Sequence, residues 1–336
     1  MMSNFNSIEF KEDHLILINQ TKLPLVEEYI KTDDYNRIAE AIEKLEVRGA
    51  PAIGVAAAYA LALAFKNGSH SEQYFYTVYE RLASTRPTAV NLFWALDEMK
   101  NVYLINKDAK DLYDILLNKA FEIHKDDISK CDLMAKNGLG IFNKKSVVLT
   151  HCNTGKLATG GNGTAFNVIL EGFKNELVSH VYADETRPLL QGSRLTAFEM
   201  DKSGIPFSII TDSTAAFLMK QNKIDLVITG SDRIAVNGDA ANKIGTYNLA
   251  VLCNYHNIPF YIAAPVTTID KSCKTGDDIK IELRDKKEVL EIKGIQVSKN
   301  TYNVYSPAFD VTPSELIKGI ITDSGFYKFP YNFKKI

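Results

Sequence analysis

Residues 225–252 read DLVITGSDRIAVNGDAANKIGTYNLAVL. The first five, 225–229, have the apolar, β-branched character of a strand buried on both faces. A polar turn with Gly230, Asp232, Asn237, Gly238 and Asp239 follows, and the pattern beyond it predicts one long helix over about 240–256. Strand, loop and helix in that order make one unit of a parallel sheet, and the loop after the strand is where such sheets bind ligands. Asp232 and Arg233 fall at the strand's carboxyl end; Asn242 and Lys243 fall in the expected first helical turn. A helix N-terminus is already positive, so a lysine there points to an anion such as a phosphate. A solvated surface lysine would read the same.

The alternation extends upstream and downstream of this stretch. Strands are expected at 146–150, 178–183, 206–211, 259–263 and 303–305, with helices at 157–173, 191–202 and 213–221 between them. A last helix is expected over 312–322, with Thr312 as cap, Pro313 in the first position and Glu315 in the third. Repeated strand and helix predict an α/β fold with a doubly wound, Rossmann-like parallel sheet. Before residue 146 the period is helical. Segments 34–47, 50–65, 73–82, 89–104 and 110–138 read as helices, preceded by a hairpin at 7–10 and 15–18 and an extended piece near 23–29. With 336 residues, at roughly 100–200 per domain, two domains are expected. They are a smaller, mainly helical N-terminal domain with a short antiparallel sheet, 1–125, and a Rossmann-like catalytic domain, 126–336.

Composition narrows the function. Hydrophobic residues make up 46% and charged residues 24%, and the net charge is −2, with no basic stripe, so nucleic acid is not an expected partner. The four cysteines, Cys131, Cys152, Cys253 and Cys273, form no Cys-x-x-Cys pair and match no zinc spacing; a reduced, cytoplasmic protein without a metal is expected. The N-terminus lacks the apolar run of a signal peptide, and the apolar stretch 50–65 carries Pro51 and Gly54, which suits a buried helix better than a membrane span.

Reading the loops after the strands in order brings polar groups to one sheet edge: 151–155 (HCNTG), 184–188 (DETRP) with 191–194 (QGSR), Asp212 and Ser213, then 231–233 (SDR). Gly160, Gly161 and Gly163 followed by Asp184 invite a nicotinamide reading, but they lie too far past the strand, and the sixth position from Gly161 is Phe166, so the fingerprint fails. Cys152 is either a buried structural thiol or a reactive one, its place between His151 and Asn153 at a strand end favouring the second. Asp232 is either a cap or ion-pair partner, or an acid if apolar surroundings raise its pKa. Two more anion cradles are visible upstream. In RGAPAIG, 48–54, Gly49 permits a tight turn, Ala50 leaves room for an approach, and Arg48 stands beside a helix start; Arg86 likewise precedes a helix. Either arginine could equally be solvated. Trp94 reads as packing.

These blocks together resemble a known family. VRGAPAIG (47–54), RPTAVNLFWALD (86–97), THCNTG (150–155), ADETRPLLQGSRLTAFE (183–199), TDSTAA (211–216), GSDRIAVNGDAANKIGTYNLAVL (230–252), PFYIAAP (259–265) and PAFDVTP (307–313) are similar to the 5-methylthioribose-1-phosphate isomerases of methionine salvage. That family is related to regulatory subunits of the translation-initiation guanine-exchange factor. The resemblance implies a cofactor-free aldose-to-ketose isomerisation by a homodimer. It also implies that Asp232 is the acid at the ring oxygen, and that Cys152 is a base at C2 or a stabiliser of the transition state. Around the phosphosugar it places Arg48, Gly49, Ala50, Arg86, Gln191, Asn242 and Lys243. The block at Tyr305-Ser306-Pro307 departs from the family's usual asparagine before the proline, near where the C5 substituent is expected. Relatives act on 5-deoxyribose 1-phosphate or ribose 1,5-bisphosphate, substrates that differ only at C5, and a non-catalytic sugar-phosphate or nucleotide sensor is the reading from another class.

Overall fold

The computed structural model describes residues 5–67, 71–87 and 89–336, so Thr88 of the 86–97 block lies outside the described residues. The chain divides into two compact units. One runs up to Asp132 and takes in Thr154–Gly163; the other comprises Leu133–Asn153 and Thr164–Ile336. A linear split at 125/126 has no place for this return: the segment just after Cys152 packs with the N-terminal helices.

The N-terminal unit opens with an antiparallel sheet of β1 (Ile8–Lys11), β2 (His14–Ile18) and β3 (Tyr29–Thr32), paired in that order. Among the described residues five helices follow: α1 (Tyr35–Glu43), α2 (Ala50–Ala64), α3 (Glu72–Ala83), α4 (Val90–Asn106) and α5 (Leu112–Gly138), the last continuing into the second unit. Asp34 caps α1 by accepting the Asn36 N–H at 2.9 Å. Helix α2 is buried on every side from Ala52 onward, as an alanine-rich helix without a polar face must be. Small side chains let α4 come close: a Cβ on Gly54 would lie 2.8 Å from the Asn91 carbonyl oxygen. Phe75 stacks on Tyr103 at 4.0 Å beside Phe65, and Trp94 packs against the same core with Lys130 5.0 Å over its ring. Helix α5 clamps the returning segment. Asp127 accepts the Gly160 N–H at 2.6 Å, His124 bonds to the Gly160 carbonyl at 3.0 Å, and Gly161 lies on Cys131.

In the C-terminal unit, β4 (Ser146–Thr150) leads through α6 (Ala165–Lys174) to β5 (Val178–Asp184). A π-helical turn (Gly192–Thr196) and α7 (Ala197–Ser203) then lead to β6 (Phe207–Ile210), and α8 (Thr214–Lys220) to β7 (Leu226–Thr229). Strands β8 (Arg233–Ala235) and β9 (Ala240–Lys243) form a hairpin before α9 (Thr246–His256) and β10 (Phe260–Ala263). Beyond them come β11 (Ile269–Asp270), α10 (Lys287–Leu290), a hairpin of β12 (Glu291–Ile292) and β13 (Ile295–Gln296), then β14 (Phe309–Thr312), β15 (Gly319–Thr322) and β16 (Gly325–Tyr327). The main sheet has the order β16-β15-β10-β7-β4-β5-β6, parallel throughout except for the β15–β16 edge. From β4 the chain winds outward to β6, then returns to β7 and winds the other way. The sheet therefore reverses direction between β4 and β7, the place where doubly wound sheets hold ligands. Every residue of β7, β10 and β15 is buried, and Leu149, Val227, Ile262 and Ile320 build a core with Leu249, Ala250 and Cys253 of α9. A second sheet, β11-β8-β9-β14, stands beside α9.

The α/β class with a helical, sheet-led N-terminal part is as expected. Some elements are not. The helix expected from Ala240 starts only at Thr246, because Asn237-Gly238-Asp239 turns the chain and residues 240–243 pair with both β8 and β14. The helix expected over 312–322 is a single 3-10 turn, Ser314–Leu316, between two strands. Residues 303–305 form no strand, and 157–173 splits into a 3-10 turn, Lys156–Ala158, and α6. Among the described residues no helix is long and apolar enough to cross a membrane.

Candidate active site

The loops after β4 and β7 carry Cys152 and Asp232, and these strands are hydrogen-bonded neighbours at the reversal point. Cys152 is buried and holds a left-handed backbone, φ 61°. Its N–H donates to Thr186 Oγ1 at 2.9 Å, and its carbonyl accepts from Thr196 Oγ1 at 2.5 Å. Next to it, Asn153 donates to the buried Glu199 at 2.7 Å. The thiol's backbone is thus fixed on both sides. Asp232 is half-buried, and its N–H donates to the Ala241 carbonyl at 2.9 Å, fastening the β7 loop to β9 immediately before Asn242 and Lys243.

Lys243 is buried on β9, where the sequence pattern puts a helical turn. Its ammonium donates to the Ala308 carbonyl at 2.8 Å and lies 4.6 Å over the Phe309 ring. Asn242 donates to Thr246 Oγ1 at 2.9 Å. The positive end of α9 has an anion already, supplied by the chain. Asp310 accepts the Gly245 N–H at 2.7 Å and the Tyr247 N–H at 3.1 Å. Burial raises the Asp310 pKa in spite of these donors. Lys243 is therefore a buried strand residue beside Asn242 and does not stand in the first turn of a helix.

Gln191 is buried ahead of Gly192, where a Cβ would lie 1.5 Å from the Asp184 carbonyl oxygen and 3.0 Å from Thr186 Oγ1. This near-contact sets Gln191 against the strand end that also holds Cys152. Its side-chain oxygen is buried and accepts no hydrogen bond from the described residues, which leaves an acceptor for a ligand donor.

His151 and Asp184 are buried together, Nδ1 to Oδ2 at 3.1 Å, while His151 Nε2 faces the Ile244 carbonyl at 2.9 Å. Burial works against a charged ring, but the Asp184 carboxylate and the Ile244 carbonyl outweigh it and raise the His151 pKa. Burial pushes Asp184 up to about 6, against the pull of His151. His151, Asp184 and Asp212 bring ligand-type atoms within 4.8 Å of one another. Both Asp212 oxygens, however, accept backbone N–H groups of Thr186 and Arg187, at 2.7 and 2.9 Å, and both ring nitrogens are engaged, so the cluster is built as a hydrogen-bond network. From sequence, Asp184 comes up only as a ribose ligand and His151 only as a neighbour of Cys152; their pairing comes from the β4–β5 register.

The remaining expected residues lie in the N-terminal unit. Arg48 precedes α2, whose cap is Gly49 at φ 97°, with Ala50 as its first residue. A Cβ on Gly49 would lie 2.4 Å from the Ala158 carbonyl oxygen, so only glycine fits. Arg86 precedes α4, and α2 and α4 touch near their N-terminal ends through Gly54 and Asn91. Two positive helix ends, each led by an arginine, therefore lie side by side.

Comparison with known proteins places this architecture. The Initiation factor 2 subunit family matches residues 46–329. The methylthioribose-1-phosphate isomerase of Carboxydothermus hydrogenoformans is 47% identical over 98% of each chain, and that of Pelotomaculum thermopropionicum is 51% identical over 95% of this chain and 89% of its own. Among solved structures, 5-methylthioribose 1-phosphate isomerase from Pyrococcus horikoshii OT3 superposes with a TM-score of 0.92 at 40% identity, covering 99% of this chain and 95% of that one. Translation initiation factor eIF-2B, subunit delta, from A. fulgidus superposes at 0.86 with 39% identity, covering 98% and 97%.

Proposed function

The chain belongs to the methylthioribose-1-phosphate isomerases of the Initiation factor 2 subunit family, and from that premise we propose that it converts 5-methylthioribose 1-phosphate to 5-methylthioribulose 1-phosphate. The reaction is an aldose–ketose isomerisation in methionine salvage. The anomeric oxygen carries the phosphate, so the ring cannot open to a free aldehyde unaided. Asp232 protonates the ring oxygen as the C1–O bond breaks, a hydrogen passes from C2 to C1, and the 2-hydroxyl gives up its proton to leave the C2 ketone. Cys152 serves that second step, as base at C2 or as stabiliser of its transition state. Lys243, Asn242 and Gln191, with Arg48, Arg86 and the N–H groups at Gly49 and Ala50, hold the phosphosugar. Charge-assisted bonds to the phosphate are worth roughly 1.5–3 kcal/mol each. The observation that carries the reading is the placement of Cys152 and Asp232 after adjacent strands at the reversal of the sheet. We further propose that the enzyme works in the cytoplasm as a homodimer, with no cofactor.

The test mixes pure protein with the aldose 1-phosphate and follows ketose formation by proton NMR, with the 5-deoxy and 5-phospho analogues alongside. Turnover fastest on the methylthio compound is expected. Asp232→Asn and Cys152→Ala are each expected to lower kcat by about 10²–10⁴-fold, with folding retained. Near-normal turnover in either would show that the roles are misassigned.

A further inference from the structure

Three loops that carry separate parts of the site meet at one buried ring. His151 opens the loop after β4 beside Cys152; Asp184 ends β5; Ile244 and Gly245 link Lys243 to α9. Gly245 leaves room for the ring: at φ 103° its Cβ would lie 3.0 Å from His151 Cε1 and 3.1 Å from Nε2. The Ile244 carbonyl can only accept, so Nε2 carries a proton. On the other side Nδ1 meets a carboxylate at 3.1 Å. The charged groups facing the ring are Asp184 from β5, Asp212 after β6 and Asp310 from β14, with Glu185 beside Asp184. They are all acidic. An acceptor at Nε2 and a carboxylate at Nδ1 favour the doubly protonated ring.

We infer that His151 is a buried imidazolium that acts as a positioning residue, locking the Cys152 loop to the Asn242–Lys243 loop so that thiol and phosphate-binding groups keep one spacing. The inference rests on the isomerase reading for the roles of Cys152 and Lys243, and goes beyond it in assigning a function to a residue that touches neither substrate nor reacting atoms. Losing the ring's charge leaves Asp184 buried without a cationic partner and frees the Ile244 carbonyl, so the two loops part. A misplacement of about 1 Å costs up to about 10²-fold in rate.

The experiment combines nitrogen-15 NMR of the intact protein with kinetics of His151→Gln and Asp184→Asn. In wild type, both ring nitrogens of His151 are expected to carry protons at about pH 7, where an ordinary histidine has mostly lost one. His151→Gln is expected to lower kcat by about 10²-fold while KM moves less. In Asp184→Asn the group that raises the ring's pKa is gone. The alkaline fall of kcat that follows loss of the ring proton is then expected at lower pH than in wild type, a shift that a merely structural role would not produce. A singly protonated ring in wild type at about pH 7 overturns the inference, as does His151→Gln turning over within about threefold of wild type. If His151→Gln does not fold, Asp184→Asn decides, and an unmoved pH profile overturns the inference. Wild-type protein that turns over no pentose 1-phosphate defeats the isomerase reading; the ring's protonation then decides this one separately.

Discussion

Replacing Gly192 by alanine tests how closely the site is built. The new Cβ would lie 1.5 Å from the Asp184 carbonyl oxygen and 2.6 Å from its carbon, both backbone atoms, so no side-chain rotation relieves the overlap. Reaching the 3.0 Å that real Cβ atoms respect needs the end of β5 and the π-helical turn to part by about 1.5 Å. Forcing apart a packed interior costs about 1–3 kcal/mol. The same movement pulls Asp184 away from His151, whose bond is 3.1 Å long, and a bond to a charged group contributes about 1.5–3 kcal/mol. Together these give about 2.5–6 kcal/mol. At roughly 2–4 °C per kcal/mol, the melting temperature should fall by about 5–24 °C, read by far-UV circular dichroism. Gly140→Ala is the matched control, because its Cβ would have nothing within 4 Å; its melting temperature should stay within about 2 °C of wild type. If Gly192→Ala melts as close to wild type as the control does, the near-contact is not a constraint and the link from Gln191 to the Cys152 loop is lost with it.

Other expectations follow from single groups. Lys243→Met removes the buried ammonium; KM should rise by about 10–100-fold with kcat less affected, measured in the NMR turnover assay, and an unchanged KM would free Lys243 of a binding role. Burial pushes Asp127 up to about 6 from 3.8, so keeping it ionised in the folded state costs about 3 kcal/mol at neutral pH. Its folded pKa lies above the unfolded one, so this cost is complete above about pH 6 and disappears as pH falls toward about 4. Asp127→Asn, which keeps an acceptor for the Gly160 N–H, should melt higher than wild type at neutral pH and lose that lead at acid pH; parallel melting curves across the range would contradict the reading.

The main sheet is legible in the sequence because its central strands are unbroken apolar runs: Leu226–Thr229 and Phe260–Ala263 are buried at every residue, and no polar alternation interrupts them. The same alternation puts Cys152 and Asp232 in loops at the strands' carboxyl ends; that their strands are neighbours at the reversal depends on strand order, which alternation leaves open. Residues 240–243 read as helix because alanine favours helix locally, whereas strand pairing on both flanks decides the matter at long range. The Asn237-Gly238 signal for a hairpin is present in the sequence and is outweighed there by that propensity. At 312–322 the cap signature, Thr312 to Glu315, yields only one 3-10 turn, since Gly319 must admit the Phe326 ring and the residues after it pair with β10. The histidine–aspartate pair has no local signal; its two members are 33 residues apart, joined only by strand register.

Cys152 sits in a backbone conformation that glycine adopts freely and other residues adopt at a cost of roughly 1–2 kcal/mol. Under the role proposed for Cys152, the residue that relaxes the backbone here is not the one that supports turnover. A library screened for heat resistance alone is expected to enrich Cys152→Gly, and on the proposed role that protein would fold well without turning over.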